Sequence, residues 1–502
     1  IGSIGDARTL VPILASDSSS GEICNLVFNG LVKYDKDLNL TGDLAQSWEI
    51  KEGGLKIVFH LRKGVKWHDG REFSAEDVKF TFDKLRDPKV KTPYSGDFLK
   101  VKELKIIDPY TLEVIYDEPF SPGLSSWGMW IMPRHILEKE DLNTTDFSIH
   151  PVGTGPYIFK KWKRQEKIEL VANPDYFEGG PYISRYIYRV IPDQSTLFLE
   201  LETLGIDYAG LTPLQFIRQT NNEFFKDNYN KFETTAFGYS YLGYNLDDEK
   251  FKGKKVRQAL NYAVDKNEII KIVLLGKGRV LTGPFLPQSW AYNTNVREEG
   301  FNPMKALGLL REAGWQDRDK DGYLEKNGKK FEFTILTNQG NEQRLKTAEL
   351  IQKYLKNIGI KVKIKVIEWN SLLSEFIDKG RFEAVLLGWS LSRDPDCFDI
   401  WHSTKIREGE FNFIHYKNRV VDELLEKARK TFDTQERKTY YHRIHELIYE
   451  DQPTMFLYVP DSLEIISSRF VGIVPAPIGI GYNFIKWWVP KEKQRYKTAI
   501  QE

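Results

Sequence analysis

The sequence predicts an α/β fold built from more than one domain, and three observations carry this. The chain of 502 residues is too long for one ordinary core at roughly 100–200 residues per domain. Residues 36–158 read as mostly β, with one clear helical stretch. From about residue 250, strand-like runs alternate with helical ones, the pattern of βαβ units and a parallel sheet.

Each element follows from local chemistry. Leu55, Ile57, Phe59 and Leu61 alternate with Lys56, Val58 and His60, a strand with one buried face. It pairs with Trp48–Ile50 across a Lys-Glu-Gly-Gly turn. Asp69-Gly70 signals a tight turn. Ser74 fits an N-cap with Asp77 three residues on, and Val78, Phe82 and Leu85 then recur at helical spacing. Leu104–Ile107 and Thr111–Tyr116 form a second hairpin around Asp108-Pro109. Tyr157–Trp162 and Lys167–Ala172 form a third. Further on, Val256, Leu260, Ala263 and Val264 share a helical face, and Asp265 with Glu268 caps the next helix. Asn302-Pro303 starts a helix that Gly314 ends. A strand at Phe331–Leu336, a helix over Glu342–Leu355, Gly359 and a strand at Ile360–Ile367 make a βαβ unit. Val420–Thr431 and Gln435–Tyr449 are amphipathic helices, and Phe456–Val459 returns as a strand.

Composition narrows the function. With 41% hydrophobic and 28% charged residues the chain is ordinary globular material. A net charge of +1 gives no electrostatic case for nucleic acid or an anionic membrane. Uncharged runs such as Val471–Ile485 are broken by Pro and Gly and fall short of the roughly 20 apolar residues of a span. No signal peptide stands at Ile1; an export signal removed or left out is compatible with this. Cys24 and Cys397 give neither a disulfide framework nor metal spacing, and two buried free thiols are expected. The 12 Trp and 25 Tyr suit either a large core with wet edges or a cleft lined by rings. A hydrolase is set aside, because no G-x-S-x-G, H-E-x-x-H or P-loop occurs and no carboxylate spacing singles out an acid/base pair.

Two metal patterns were weighed. His442 and His445 share a helical face without a third ligand and read as a solvated pair. Asp317, Asp319, Asp321, Tyr323 and Glu325 follow a calcium loop through nine positions. Position twelve is Gly328, and Lys320, Lys326, Lys329 and Lys330 dilute the negative field. A polar hairpin turn is the first reading and a weak structural calcium site the alternative. No other cofactor is expected.

Six segments then point to a family. They are GDLAQSWEI…LKIVFHLRKGVKWHDGREFSAEDVKFTFDKL (Gly42–Leu85), PVGTGPYIF (Pro151–Phe159), FNGLVKYD (Phe28–Asp35), VRQALNYAVDKNEII (Val256–Ile270), LLGWSLSRDPDCFDIWHS (Leu386–Ser403) and NFIHYKNRVVDELLEKAR (Asn412–Arg429). In this order and spacing the chain, from about Leu26 to Trp488, resembles the extracytoplasmic solute-binding proteins of peptide and nickel ABC transporters. The resemblance implies an α/β, bilobal, periplasmic-binding-protein-like fold (type II, cluster C) with an inserted, mainly β domain. Residues 1–34, 159–247 and 470–491 would form lobe I, 35–158 the insert, 248–469 lobe II and 492–502 a tail. The implied protein is a monomer, periplasmic or anchored at the cell surface. It captures a small solute, most readily a peptide, between two hinged lobes and delivers it to the permease subunits of an ABC importer without altering it. A non-peptide ligand (an oligosaccharide, a metal chelate or another anion-bearing solute) on the same scaffold, or a sensor or chaperone, are the alternatives.

The resemblance also nominates ligand contacts. Trp389 comes first, followed by Ser390, Leu391, Ser392 and Arg393 on the loop after it. Trp369 follows the Ile360–Ile367 strand. Tyr94 would come from the insert, Tyr241 and Tyr244 from the stretch Ala236–Leu246, and Ser18, Ser19 and Ser20 from the first lobe. Peptide-binding relatives carry an Asp shortly after the Trp that pairs with the ligand's α-ammonium. Here that stretch is Ser390-Leu391-Ser392-Arg393. Asp394 or Asp396 could take its place, although Asp394-Pro395 equally suits a turn that starts a helix. Arg393 would favour an anionic group. Nickel-binding relatives place a His just after the Asp-Pro step, where this chain has Asp396.

Overall fold

The structure, a computed structural model, describes residues 1–495. Of the tail expected at 492–502, residues 496–502 lie outside the described residues. The chain divides into two compact units. Unit 1 holds Ile1–Leu211, Gln215–Thr234 and the chain from Leu463 on; unit 2 holds Thr212–Leu214 and Thr235–Ser462.

Unit 1 opens with helix α1 (Ser18–Val27), whose Asp17 cap accepts from Ser20 N. Strands β1 (Ala45–Lys51) and β2 (Lys56–Leu61) pair antiparallel. Helix α2 (Ala75–Arg86) carries the expected capping box of Ser74 and Asp77. Strands β3 (Val101–Asp108) and β4 (Thr111–Tyr116) complete a sheet of order β1-β2-β4-β3. Strands β5 (Tyr157–Lys163), β6 (Lys167–Ala172) and β7 (Arg185–Val190) form a second antiparallel sheet, to which Gly2–Ser3 adds in parallel beside β7. Within the span 35–158, read from sequence as an insert, β1–β4 form one sheet, but Leu40–Gly42 pairs with Val32–Tyr34 outside it, and Phe59 and Trp127 share one apolar core with Val27, Phe28 and Tyr157.

The segments Gly42–Leu85 and Pro151–Phe159 are bonded to each other. The Val27 carbonyl at the end of α1 accepts from Gly155 N at 2.8 Å. A Cβ on Gly153 would lie 1.7 Å from that same oxygen, and one on Gly155 2.5 Å from the Leu26 oxygen. Only glycine lets the two backbones approach this closely. His68 clamps the junction: its Nδ1 accepts from Gly153 N at 3.2 Å and its Nε2 donates to Gly155 O at 3.0 Å. Burial holds this imidazole neutral and lowers its pKa to about 4.

Unit 2 is a mixed sheet. Its strands are β8 (Gly238–Tyr244), β9 (Glu332–Asn338), β10 (Lys361–Ile367), β11 (Ala384–Ser390) and β12 (Thr454–Ser467), in the order β12-β8-β11-β9-β10. Strand β9 is parallel to both β10 and β11, as the βαβ pattern predicts; β8 is antiparallel to its two neighbours. Alternation sorts the side chains. Leu242, Tyr244 and Leu386 join a core with helices α3 (Lys254–Tyr262) and α4 (Glu342–Lys356). Tyr239, Tyr241 and Leu387 join another with α5 (Arg419–Lys430) and α6 (Thr434–Asp451). The chain passes between units at Thr212–Leu214, after Thr234 and after Ser462, against the crossovers expected from sequence near Asp247 and Arg469. The pairing of β8 with β11 assigns all of β8 to unit 2.

His445 is fully buried instead of solvated. Its Nδ1 accepts from Asn293 N at 3.1 Å and its Nε2 lies 3.0 Å from Thr282 Oγ1. Desolvation lowers its pKa to about 4. Both cysteines are free and buried. No helix among the described residues is long and apolar enough to cross a membrane.

Gly153→Ala is expected to lower stability by about 1–3 kcal/mol or more, because the backbone cannot yield to a Cβ without overpacking; thermal unfolding measures it. A pH effect follows from the two imidazoles. Unfolded, each takes up a proton near pH 6.5; folded, each resists until about pH 4. Their contribution is complete above pH 6.5 and lost as pH falls toward 4, at most about 3 kcal/mol apiece. His445→Gln should therefore lose less stability than the wild type over that interval; parallel curves would refute the assignment.

Candidate functional site

In unit 2 the carboxyl ends of the three parallel strands lie side by side: Asn338 on β9, Ile367 on β10 and Ser390 on β11. In open α/β sheets ligands bind outside such ends, where the chain leaves each strand for a loop or helix. Three nominated positions sit there. Trp389 is the last residue but one of β11, Ser390 ends the strand and is exposed, and Trp369 opens the short helix after β10.

Trp389 is half-buried. It stacks on Tyr241 with ring centroids 6.2 Å apart at 7°, and meets Phe411 and Phe413 at 5.4 and 5.8 Å. Tyr241 itself is buried, so it backs the indole and does not face out. Trp369 Nε1 and the neighbouring Asn370 Oδ1 are buried without a hydrogen-bond partner among the described residues. Buried polar atoms are nearly always paired, so two orphans at one strand end mark a place where outside partners fit.

The loop after Trp389 differs from expectation. Leu391 N donates to Phe237 O at 2.8 Å, and the Arg393 guanidinium lies 3.3 Å over the Phe237 ring. Ser392 Oγ donates to Asp394 O at 2.6 Å, and Asp394 Oδ1 accepts from Asp396 N at 2.9 Å, the turn suggested by Asp394-Pro395. Both carboxylates are already matched. Asp394 pairs with Arg437 at 3.0 Å, and Asp396 takes two donors of Arg429.

Among the other nominees, burial removes Tyr244, Ser19 and Ser20 from an open site, while Ser18 and Tyr94 keep some exposure. Tyr244 is fully buried and stacks on Phe251 at 5.0 Å, because its place in β8 points it into the α3–α4 core. Ser19 and Ser20 are buried at the start of α1. Ser20 Oγ accepts from Arg8 N and donates to the Asp17 cap, and Ser19 Oγ donates to Gly5 O, so both hydroxyls are used within unit 1. Ser18 is exposed in unit 1. Tyr94 Oη donates to Ala15 O at 2.9 Å, a strut within unit 1.

Sequence reading missed Arg344, on the first turn of α4. Its neighbours in unit 2 show why it stands out. Arg257 gives its donors to the carbonyls of Phe251, Lys252, Asp451 and Gln452. Arg429 and Arg437 have carboxylates. The half-buried Arg344 side chain makes one hydrogen bond, Nη1 to Asn338 Oδ1 at 2.7 Å. A Cβ on Gly388 would come within 3.0 Å of its Nη2, which places the guanidinium at the same strand ends. Burial lowers its pKa, with Tyr458 and Tyr241 acting the other way. Five donors and one acceptor make a receptor for a carboxylate. The Asn341 cap and Arg three residues later were legible as helix chemistry only.

The acidic loop brings Asp317, Asp319 and Asp321 together, with carboxylate oxygens within 4.8 Å of one another. The Lys330 ammonium pairs with Asp321 and lies 3.9 Å from Asp319. Tyr323 donates its N–H to Asp321, and Glu325 is committed to the Glu325–Lys326/Lys329–Lys330 hairpin. A surface depression of about 660 Å³ in unit 1, lined by Glu202 and Asn221–Lys226, contains no nominated residue.

The chain is similar to known proteins over most of its length. Residues 39–407 match the model of the bacterial extracellular solute-binding proteins, family 5. The chain is 37% identical to the oligopeptide-binding protein AppA of Bacillus subtilis, over 98% of this chain and 91% of that protein. The structure of that protein in complex with a nonapeptide superposes with a TM-score of 0.93 at 36% identity, covering 98% of both chains. NikZ of Campylobacter jejuni in complex with Ni(L-His) gives 0.87 at 33% identity, covering 97% of this chain and 98% of the other.

Calcium titrated calorimetrically up to millimolar concentration should give no heat with the wild type, because Lys330 already occupies Asp321 and lies 3.9 Å from Asp319. Lys330→Gln should create measurable binding; heat with the wild type would restore the calcium reading.

Proposed function

The chain belongs to the bacterial extracellular solute-binding proteins of family 5, and from that premise we propose that it is the peptide-capturing component of an ABC importer. It binds its solute outside the cytoplasmic membrane and passes it, unaltered, to permease subunits. The observation that carries the ligand reading is Arg344, a half-buried guanidinium with one hydrogen bond at the carboxyl ends of β9 and β11. A ligand carboxylate supplies the missing acceptors, and each charge-assisted bond is worth about 1.5–3 kcal/mol. The half-exposed Trp389, held flat by Tyr241, offers a rigid aromatic shelf at low rotamer cost. Trp369 Nε1 and Asn370 Oδ1 offer a donor and an acceptor, as a peptide backbone requires. Likeness to a nonapeptide-bound protein supports peptide over sugar.

A metal chelate of an amino acid is the second reading. Its carboxylate suits Arg344 equally, and the NikZ structure holds Ni(L-His).

Fluorescence titration with a randomised nonapeptide pool tests this. Trp389→Ala should weaken binding by about 1–3 kcal/mol, the range of an interface anchor. Arg344→Met should weaken peptides with a free C-terminus about tenfold or more and C-amidated peptides without acidic side chains hardly at all. Affinities unmoved by either substitution would remove these residues from the site. Binding of Ni(L-His) with no peptide binding would favour the chelate.

A further inference from the structure

The segment that leaves β11 carries two carboxylates, and both are used inside unit 2. Asp394 Oδ1 accepts from Arg437 Nη2 at 3.0 Å. Asp396 accepts from Arg429 Nε at 2.9 and 3.1 Å and from Arg429 Nη2 at 2.5 Å. The guanidinium side chains are 3% exposed at Arg429 and 8% at Arg437, against 12% and 22% for the carboxylates they hold. Each is packed as well as paired. Arg429 lies 3.9 Å over the Phe398 ring, while Arg437 lies 5.4 Å over Trp290 and donates to Tyr441 Oη at 3.0 Å. The two arginines come from different helices, α5 and α6, so the segment is tied to both.

A ligand ammonium that displaced either guanidinium would strand a positive charge in the interior, the costly half of breaking a buried pair. One that shared the carboxylate would be left only the lone pairs that the arginine and the turn do not use. Near Trp389 the segment is held by Leu391 N on Phe237 O and by the short bond of Ser392 to Asp394. The two ion pairs therefore fix its course from Ser390 to the helix that begins at Phe398.

We propose that Arg429 and Arg437 are positioning residues for ligand binding. They brace Ser390–Cys397 through Asp394 and Asp396, and so leave that segment without an acidic anchor for a ligand's ammonium group. This rests on the peptide-binding reading above and extends it, because it names a ligand feature that the loop beside Trp389 ignores.

Calorimetry on the whole chain, with a randomised nonapeptide pool in free-amine and N-acetylated forms, tests it. Asp394→Asn, Asp396→Asn, Arg429→Gln and Arg437→Gln should each weaken both forms by a common factor of about ten. The Asp394→Asn/Arg437→Gln double variant should be no weaker than the worse single one. Exchanging the pair (Asp394→Arg with Arg437→Asp) should recover part of the affinity, which a loss of fold alone would not allow. If Asp394→Asn or Asp396→Asn weakens the free-amine form tenfold and spares the acetylated form, that carboxylate is a ligand anchor and the proposal falls. Unchanged affinity for both forms in all four variants overturns it too. Where a variant shows no cooperative unfolding, Arg429→Lys or Arg437→Lys takes its place. These keep the charge but lose the fork, and should weaken both forms equally but less. A wild-type chain that binds neither form overturns the peptide-binding reading itself, which separates that failure from this one.

Discussion

A guanidinium taken out of water must recover its hydrogen bonds and, in most places, a counter-charge. Unit 2 supplies carbonyls to Arg257 and a carboxylate to each of Arg429 and Arg437. Among the described residues Arg344 has an amide oxygen and no carboxylate. The arrangement of charges around the strand ends follows from that contrast. Asp394 and Asp396, close to Trp389, are paired from within, and Arg344, without a carboxylate partner among the described residues, stands at the carboxyl edge of the parallel strands. A binding protein needs this kind of imbalance, because a site whose groups were all satisfied would gain nothing from a ligand.

The scaffold that holds this edge is conventional for its topology. A parallel β9 between β10 and β11 puts three chain exits next to one another, and α4 begins directly after one of them. Its first turn carries Arg344 toward Gly388, where the missing side chain makes room. Tyr241 and Trp389 lie on the opposite face, stacked because β8 and β11 pair antiparallel in register. Aromatic shelf and guanidinium thus occupy two faces of one strand end.

Unit 1 is governed by a different constraint, the close passage of main chains. Gly153 and Gly155 meet the end of α1 without room for a Cβ, and His68 spans the gap with one nitrogen accepting and the other donating. Two sequence segments that carry the family resemblance are therefore one structural junction. Their residue types are explained by steric contact and hydrogen bonding, with no ligand required.

How much was legible in advance depends on the range of the physics involved. Capping at Ser74 and Asp265, the hairpins, the parallel β9–β10 pair and the order of segments that marks family 5 were all readable. They rest on spacing and backbone preference within a few residues. Side-chain outcomes were decided elsewhere. Ser19, Ser20 and Tyr244 have residue types that suit a binding cleft, yet hydrogen bonds to Gly5 and Asp17 hold the serines inward and strand alternation turns the tyrosine into the core. Asp394 and Asp396 find partners 43 and 33 residues away, and among the described residues Arg344 finds none of opposite charge. Local sequence sets which elements form and in what order. Only the packing of distant elements decides which charges meet, because a counter-ion is chosen by proximity in space and not by spacing along the chain.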